Sequence, residues 1–454
     1  TGTRLAVKAV SRSFMRGCED MLELEVENLR RVDHPNIVRL HRTWDDGQFI
    51  HLVMDFCSGG DLDDRIREAR EPFSEPFIQN VMQQLMWAVA HVHARGLVHL
   101  DIKGLNIMLT HRTFTILPVA AQAHRGVEDH SMPHVMLIDL GVAQLFQPGD
   151  YQRDFPGGTP STMAPEVWQG EVTPAADIFS CGVVFWEICT QQLDPLRLTL
   201  SGGLPDFIRQ ANRYWETGPQ LSWEKWGRLP SAARRLCASM LEKDRRSRPA
   251  ACDCVANAFL LTSGGKGART LSRTSPKVEE LMVRLGDSHR RSILYRTMAM
   301  HVARKWPPNQ LPTVQSVFRS LDTTGIGFLD IREVTIAFQQ FGMQQGLAAA
   351  AAKSIDLNRD GLIDWTEFVA ASVPLGDADF EPMLKDRFKK ADADDDGLLS
   401  APELASLLPG FSADDLPVVS LHKLLRAGAP GVDWRAFHAH FQAPRQEAAT
   451  VMVF

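Results

Sequence analysis

One twelve-residue pattern recurs through the second half of this chain and limits what that half can fold into. Asp356, Asn358, Asp360, Asp364 and Glu367 carry side-chain oxygens at positions 1, 3, 5, 9 and 12 of a loop with Gly361 at position 6. Asp392, Asp394, Asp396, Ser400 and Glu403 repeat the arrangement around Gly397. Leu362 and Leu398, at position 7, each offer a main-chain carbonyl. A less complete copy starts at Asp322, so the three starts lie 34 and 36 residues apart, and a degraded fourth begins near Leu425, 33 residues further on. A period of that size marks an array of one supersecondary unit.

Oxygen ligands at these positions, with glycine at the sharp turn and a bidentate glutamate at the end, form the EF-hand cage for calcium. The loops Asp356–Glu367 and Asp392–Glu403 satisfy every position. The loop Asp322–Glu333 keeps Asp322, Gly327, Asp330 and Glu333, but Thr324 stands at position 3 and Ile326, with no side-chain oxygen, at position 5. The fourth copy has Leu425, Ala427, Ala429 and Ala436 where ligands belong, and it reads as a structural mate that binds nothing. Two calcium ions are therefore expected.

The first half carries a different chemistry. His99, Leu100, Asp101, Ile102, Lys103, Gly104, Leu105 and Asn106 place a carboxylate, an ammonium and an amide within six residues. This is the spacing of a phosphoryl-transfer catalytic loop, where Asp101 orients the acceptor hydroxyl, Lys103 steadies the transferring phosphate and Asn106 binds magnesium. Ile138, Asp139, Leu140 and Gly141 follow, with Asp139 as the main magnesium ligand. Lys8, after Ala6 and Val7, fits the strand lysine that contacts ATP phosphates. Glu25 is its candidate partner on a helix containing Leu22, Val26 and Leu29, with Glu23 and Glu27 as rivals. Met54 would be the gatekeeper, the main chain at Asp55 and Cys57 would meet adenine, and Asp61 would reach the ribose. Asp177 would tie a helix start to the catalytic loop, and Arg248 would pair with Glu166. Lys103 and Thr159 favour Ser/Thr over Tyr acceptors.

The order of these runs, with Leu52–Leu62 and Asp33–Leu40, resembles a calcium-dependent protein kinase of the plant and protist type over residues 4 to 445. The resemblance implies an α+β two-lobed kinase fold, incomplete in its N-lobe, followed by an all-α calmodulin-like domain of two EF-hand pairs. The expected domains are kinase at 1–260, linker and autoinhibitory junction at 261–310, and EF-hand domain at 311–445. The implied function is calcium-stimulated transfer of the ATP γ-phosphate to Ser/Thr of proteins, with ATP, Mg2+ and Ca2+ as cofactors. The rival readings are a calcium-binding pseudokinase or scaffold and a calcium buffer.

Departures from that family sharpen the expectations. Leu100 replaces an Arg that meets an activation-loop phosphate, and Tyr151 is the only hydroxyl between Val142 and Gly157, so activation-loop phosphorylation is not expected to be needed. Leu140 replaces Phe, and Thr162 replaces Tyr. Gly104 and Leu105 replace Pro-Glu, whose Glu helps read substrate arginines, which leaves basic specificity open. An insert lies around residues 112 to 134. No Gly-rich loop precedes Lys8, which reads as N-terminal truncation.

Between the halves, residues 262–277 read as a linker and residues 278–306 as a basic amphipathic stretch carrying Arg290, Arg291, Arg296, Arg304 and Lys305. Two readings stand: helices that simply pack, or an inhibitory segment that a calcium-loaded groove captures. Arg269 to Ser272, and Arg290 and Arg291 with Ser292, also resemble sites for a basophilic kinase. Composition adds exclusions: a net charge of −6 argues against nucleic-acid binding, and there is no apolar run long enough to span a membrane. Seven cysteines without zinc spacing read as reduced thiols of a cytoplasmic monomer. The first residue is Thr, so membrane attachment through an unseen N-terminus stays open.

Overall fold

The computed structural model describes residues 4–13, 19–110, 132–146, 158–193, 204–217, 229–261, 276–408 and 431–442. The insert, most of the activation segment, the linker and the start of the fourth loop lie outside these residues. The chain divides into two compact units. One covers Arg4–Ala268 and takes in Thr324–Gly327, and the other covers Arg269–Thr323 and Phe328–Phe454.

The first unit begins with β1 (Leu5–Ser11), α1 (Glu19–Arg31), β2 (Leu40–Asp45) and β3 (Phe49–Asp55). The strands form one antiparallel sheet in the order β1-β3-β2, with Ala6 opposite Met54 and Lys8 opposite Leu52. Side chains alternate along a strand, so Ala6, Lys8 and Val10 share one face while Leu5 and Val7 stand exposed on the other. Val10 packs against a small core made of Leu22, Leu29, Val38, Leu52, Leu140 and Ala143. Lys8 thus shares its face with a residue packed on the core that α1 borders.

The larger part of this unit is built on α2 (Leu62–Glu68) and α3 (Glu75–Ala94). Ser74 caps α3, its hydroxyl accepting the Phe77 amide, and a proline follows in the first turn. Phe77, Ile78, Val81, Met82, Leu85, Met86, Val89 and Val92 are buried along α3. Each such side chain contributes about 1.5–3 kcal/mol on leaving water. Short strands β4 (Leu97–Val98), β5 (Ile107–Leu109), β6 (Val135–Leu137) and β7 (Gln144–Leu145) follow, with β4 paired to β7 and β5 to β6. These two hairpin-like pairs frame the segments holding Asp101 and Asp139. Helices α4 (Pro174–Thr190), α5 (Leu204–Thr217), α6 (Ser231–Met240), α7 (Ala251–Val255) and α8 (Ala258–Leu261) complete it.

The second unit opens with α9 (Pro276–Gly286) and α10 (Ile293–Ala303). Then come α11 (Pro312–Leu321), β8 (Leu329–Asp330), α12 (Ile331–Gln340), α13 (Gln345–Ile355), β9 (Leu362–Ile363) and α14 (Trp365–Ser372). The last elements are α15 (Glu381–Ala391), β10 (Leu398–Leu399), α16 (Ala401–Ser406), β11 (Val432–Asp433) and α17 (Trp434–Gln442). The loops pair through their short strands, Leu329 opposite Ile363 and Leu399 opposite Val432. The fourth repeat therefore keeps its pairing strand although Leu425, Ala427, Ala429 and Ala436 at positions 1, 3, 5 and 12 carry no side-chain oxygen.

Apolar residues of α9 and α10 lie four apart and are buried: Leu281 and Leu285, then Leu294, Met298 and Val302. Their polar neighbours bond the EF-hand helices. Arg291 donates to the Ala371 carbonyl at 2.7 Å, Arg296 to the Ser354 carbonyl at 3.1 Å and Tyr295 to the Val373 carbonyl at 2.9 Å. These acceptors lie in or next to the last turns of α13 and α14, where helix carbonyls lack partners and cations are favoured. The basic stretch is thus a ligand of the first EF-hand pair within its own unit.

Candidate active site and calcium loops

Lys8 reaches both oxygens of Glu25, at 2.6 and 2.9 Å, and lies 3.9 Å from Asp139 Oδ1. Glu25 is buried, whereas Glu23 is exposed and Glu27 pairs with Arg31 on the helix surface. Only the buried one of the three carboxylates faces β1. Leu140, 1% exposed, packs in the small core beside Leu22 and Leu29 of α1, and the Asn28 amide donates to the Ala143 carbonyl at 2.9 Å. An apolar residue at 140 thus ties the Asp139 segment to the helix that carries Glu25.

Asp101 stands at the centre of a polar cluster. Its Oδ1 accepts the Thr159 hydroxyl at 2.6 Å, and its Oδ2 accepts Lys103 at 2.8 Å and the Asn106 amide at 2.9 Å. Lys103 also donates to Thr159 Oγ1 at 2.7 Å, and Asn106 to the Asp101 carbonyl at 2.8 Å. Residues 58 positions apart in sequence thus close on one carboxylate. Leu100 and Asp139 both have φ of +65°, a left-handed conformation uncommon outside glycine. Strain of this kind costs about 1–3 kcal/mol per residue and collects at functional sites.

Asp177 supports that backbone. It is fully buried and accepts the amides of His99 and Leu100, each at 2.8 Å, and Nε2 of His93 at 2.8 Å. Burial works to raise its pKa, but the His93 bond and the neighbouring donors outweigh it and hold the carboxyl below the ordinary value. His93 was not singled out from the sequence. Its only signal is a place in the last turn of α3, six residues before His99.

At the expected hinge, the Asp55 side chain is occupied by His41 at 2.7 Å and the Arg39 amide at 3.1 Å, and the Asp55 amide donates to the Arg39 carbonyl at 3.2 Å. Burial pushes the Cys57 thiol up to about 12, so it stays protonated. Asp61 caps α2, its Oδ1 accepting the Asp64 amide at 2.8 Å, and Oδ2 takes no part in that cap. Met54 lies on β3 opposite Ala6. Glu166 and Arg248 form a buried bidentate pair at 2.5 and 2.8 Å.

The two complete loops close in the same way. Glu367 Oε1 accepts the amides of Leu357 and Asn358 at 2.8 and 3.1 Å, and Glu403 Oε1 accepts the Ala393 amide at 2.8 Å. Gly361 and Gly397 have φ of +88° and +82°, which the sixth position requires. Asp356 Oδ1 is buried with no hydrogen-bond partner, an oxygen suited to a cation. Side-chain oxygens of Asp392, Asp394 and Glu403 lie within 4.8 Å of one another. Both donor sets fit a hard divalent ion. The glutamates differ: burial pushes Glu367 up to about 7, whereas the Ser400 hydroxyl and amide hold Glu403 below its ordinary value. In the first loop, Glu333 Oε2 accepts the Asp330 amide at 2.9 Å.

Residues 1–260 match the protein kinase domain family. The chain belongs to the protein kinase family. Residues 313–372 match the EF-hand domain pair, and residues 384–408 match the EF hand. Calcium-dependent protein kinase 6 of Plasmodium berghei (strain Anka) is 26% identical over 402 residues, covering 88% of this chain and 25% of that protein. Calcium-dependent protein kinase 32 of Arabidopsis thaliana is 27% identical over 411 residues, covering 89% and 70%. Calcium-dependent protein kinase 14 of the same plant is 27% identical over 425 residues, covering 92% and 73%. The chain thus spans about a quarter of the Plasmodium relative and about seven-tenths of the plant relatives. The kinase domain and the EF-hand region stand on one chain, which is similar over most of its length to proteins named calcium-dependent protein kinases. It is a serine/threonine kinase whose domains imply ATP, Mg2+ and Ca2+. No described helix is long and apolar enough to cross a membrane.

Proposed function

We propose that this kinase transfers the ATP γ-phosphate to Ser or Thr hydroxyls of proteins through the Asp101 cluster, and that the loops Asp356–Glu367 and Asp392–Glu403 are its calcium sites. The observation that carries this reading is the closure of Lys103, Thr159 and Asn106 on the Asp101 carboxylate. In that role Asp101 holds the acceptor hydroxyl and takes up its proton, while Lys103 offers its charge to the developing phosphoryl oxygens. Lys8, fixed by Glu25, would hold the nucleotide phosphates. Asp139 and Asn106 would hold Mg2+, which neutralises phosphate charge when bound. Main-chain groups of Asp55 and Cys57, beside Met54, would fix adenine, and Asp61 Oδ2 the ribose.

On the same reading, 1–260 is the catalytic domain, 261–310 the regulatory junction and 311–445 the calcium module. Calcium alters the EF-hand pair that holds α9 and α10, and so controls the kinase within one chain. The six described cysteines are free thiols, in keeping with a cytoplasmic monomer. The test is phosphorylation of a Ser/Thr peptide library by the full-length protein with MgATP, with and without calcium. Calcium-stimulated transfer that Asp101→Asn removes supports the reading. Absence of transfer to every peptide overturns it.

A further inference from the structure

Gly361 and Gly397 hold the sixth position of the two complete calcium loops, and a Cβ added at either would meet no atom within 4 Å. Gly327 holds the same position of the first loop with a φ of +79°, close to their +88° and +82°, yet it is buried. A Cβ at residue 327 would stand 2.7 Å from His34 Cδ2 and 2.9 Å from both Cβ and Nδ1 of His91. His91 Cβ is fixed to the backbone of α3 and cannot turn aside. Gly325, at the fourth position, is walled in the same way, its Cβ standing 3.1 Å from Val255 Cγ1 of α7. The complete loops carry Arg359 and Asp395 there, at φ of +61° and +57°, so the backbone of this position accepts a side chain. The wall, and not the turn, asks for glycine at 325. Thr324–Gly327 accordingly belong to the compact unit of Arg4–Ala268, whereas Thr323 and Phe328 on either side belong to the other.

The wall is a built socket. The Gly327 carbonyl accepts Nδ1 of His91 at 3.2 Å, and Nε2 of His91 accepts the Asp33 amide at 3.3 Å. One ring nitrogen therefore carries the proton and the other a lone pair, which is the neutral imidazole. Burial pushes His91 down to about 3, so that form persists at neutral pH. His34 is held edge-on against Trp87, ring centroids 4.3 Å apart, and its Nδ1 accepts the Asn36 amide at 3.0 Å. Ile326, between the two glycines, lines a cleft with Ala90 and Ala94 of α3 and Ile178 of α4. An isoleucine at the fifth position is a loss for calcium and a gain for this cleft, where its apolar surface leaves water. The residues that weaken the first loop as an ion site suit it to the socket.

We propose that the first EF-hand loop is an intramolecular anchor: Gly325, Ile326 and Gly327 seat in a socket made by His34, His91 and Val255, and stay seated whether or not the complete loops hold calcium. None of these six residues belongs to the donor sets of Asp356–Glu367 or Asp392–Glu403, so filling those loops takes nothing from the seat. The His91 bond joins a neutral ring to a carbonyl, so an ion in another loop acts on it weakly. The anchor fixes one point of the EF-hand chain in the kinase unit, independently of residues 262–277. It thereby keeps the calcium response within one molecule at high effective concentration.

The test is hydrogen–deuterium exchange of the full-length protein, read by mass spectrometry in a chelator and in saturating calcium. In wild type, residues 324–327 should exchange slowly and at the same rate in both conditions, while Asp356–Glu367 should slow when calcium is added. Gly325→Asp gives the first loop a side chain that its fourth position accepts, as Asp395 shows, but that has no room against Val255. It should speed exchange at 324–327 about tenfold to a hundredfold in both conditions, the scale of losing a local contact and its hydrogen bond. Gly327→Ala should do the same, because its methyl meets His34 and His91. Gly361→Ala, equally left-handed but in open space, should leave 324–327 unchanged, which separates the wall from strain in the turn. Rapid exchange at 324–327 in wild type, or protection in only one of the two conditions, overturns the proposal. So does protection that survives Gly325→Asp or Gly327→Ala, or an equal loss in Gly361→Ala. None of these readouts uses phosphoryl transfer, so the kinase reading stands or falls separately.

Discussion

Asp177 Oδ1 accepts the amide of Leu100 at 2.8 Å, and Leu100 holds its left-handed φ of +65° against that bond. The other oxygen serves the His99 amide and His93 at once. The residue before Asp101 thus draws its strained geometry from a buried carboxylate on α4. Asp177→Ala should cost about 1–3 kcal/mol for each amide left without an acceptor. Thermal unfolding should show that loss, and kcat should fall further than stability alone accounts for. Asp177→Asn keeps one acceptor oxygen and should fall between. A melting temperature and kcat unchanged in Asp177→Ala would contradict the supporting role.

Asp101→Asn and Asp139→Asn should each reduce phosphoryl transfer below detection in the full-length protein while leaving calcium binding intact. Neither residue belongs to the unit that holds the two complete calcium loops. Asp101→Asn cannot take up the acceptor proton, and Asp139→Asn loses the charge for Mg2+. Radiolabel transfer and calorimetry on the same preparations check both halves. Retained transfer in Asp101→Asn would move the reaction to another base.

Some of this site was legible from order and spacing because its residues travel in short runs. Lys103 and Asn106 follow Asp101 closely, so one stretch of chain carries the proposed chemistry. Glu25 was separable from Glu23 and Glu27 by its distance from Asp33–Ile37, and burial distinguishes the same residue. The calcium loops were legible for the same reason, each being continuous. Gly327 on His91 was not legible, since nothing local links residues 236 apart until the first loop meets α3. The anchoring of Arg291 and Arg296 was equally hidden, because their acceptors are the carbonyls of Ala371 and Ser354 and any residue type supplies a carbonyl.

Calorimetry should count two calcium ions with dissociation constants on the order of 10⁻⁷ to 10⁻⁵ M, the sensor range. Glu367→Gln should remove one and Glu403→Gln the other, since each supplies the bidentate ligand. Ile326 leaves the first loop without a side-chain oxygen at its fifth position, and Ala436 does the same at the end of the fourth. Four ions bound with sensor affinity would contradict that account.

The two loops should differ in pH dependence. In the calcium-free protein the Glu367 carboxyl stands near 7, raised first by burial, while Glu403 is held low by Ser400. Calcium binds the carboxylate, so below about pH 7 a proton must leave Glu367 before binding. Affinity at that loop should then fall up to about tenfold per pH unit, because proton and metal compete for one group. Above pH 7 it should be flat, and the Glu403 loop should be flat across the same window. Titration of Glu403→Gln at pH 6 and 8, in buffers of different ionisation enthalpy, isolates the first case. Equal affinity at both pH values, with no proton released, would sink it.

Calcium should activate by changing how the EF-hand pair holds α9 and α10. Suppose the resting enzyme is about 1% competent and the loaded enzyme about 99%. That shift takes roughly 10⁴-fold differential affinity, about 5.5 kcal/mol. Two sites can share it at roughly a hundredfold each, within the 1–3 kcal/mol usual for coupling. Glu367→Gln or Glu403→Gln alone should therefore blunt activation, and the double variant should abolish it. Reciprocity requires that whatever stabilises the competent kinase also tighten calcium binding. Arg291→Ala removes the bond to the Ala371 carbonyl and should shift the calcium concentration for half-activation, with a chain ended after Leu261, which lacks Arg291, as the unregulated reference. That shortened chain should be active without calcium. If it folds and is no more active than the calcium-free full-length enzyme, residues 278–306 do not inhibit, and α9 and α10 only pack.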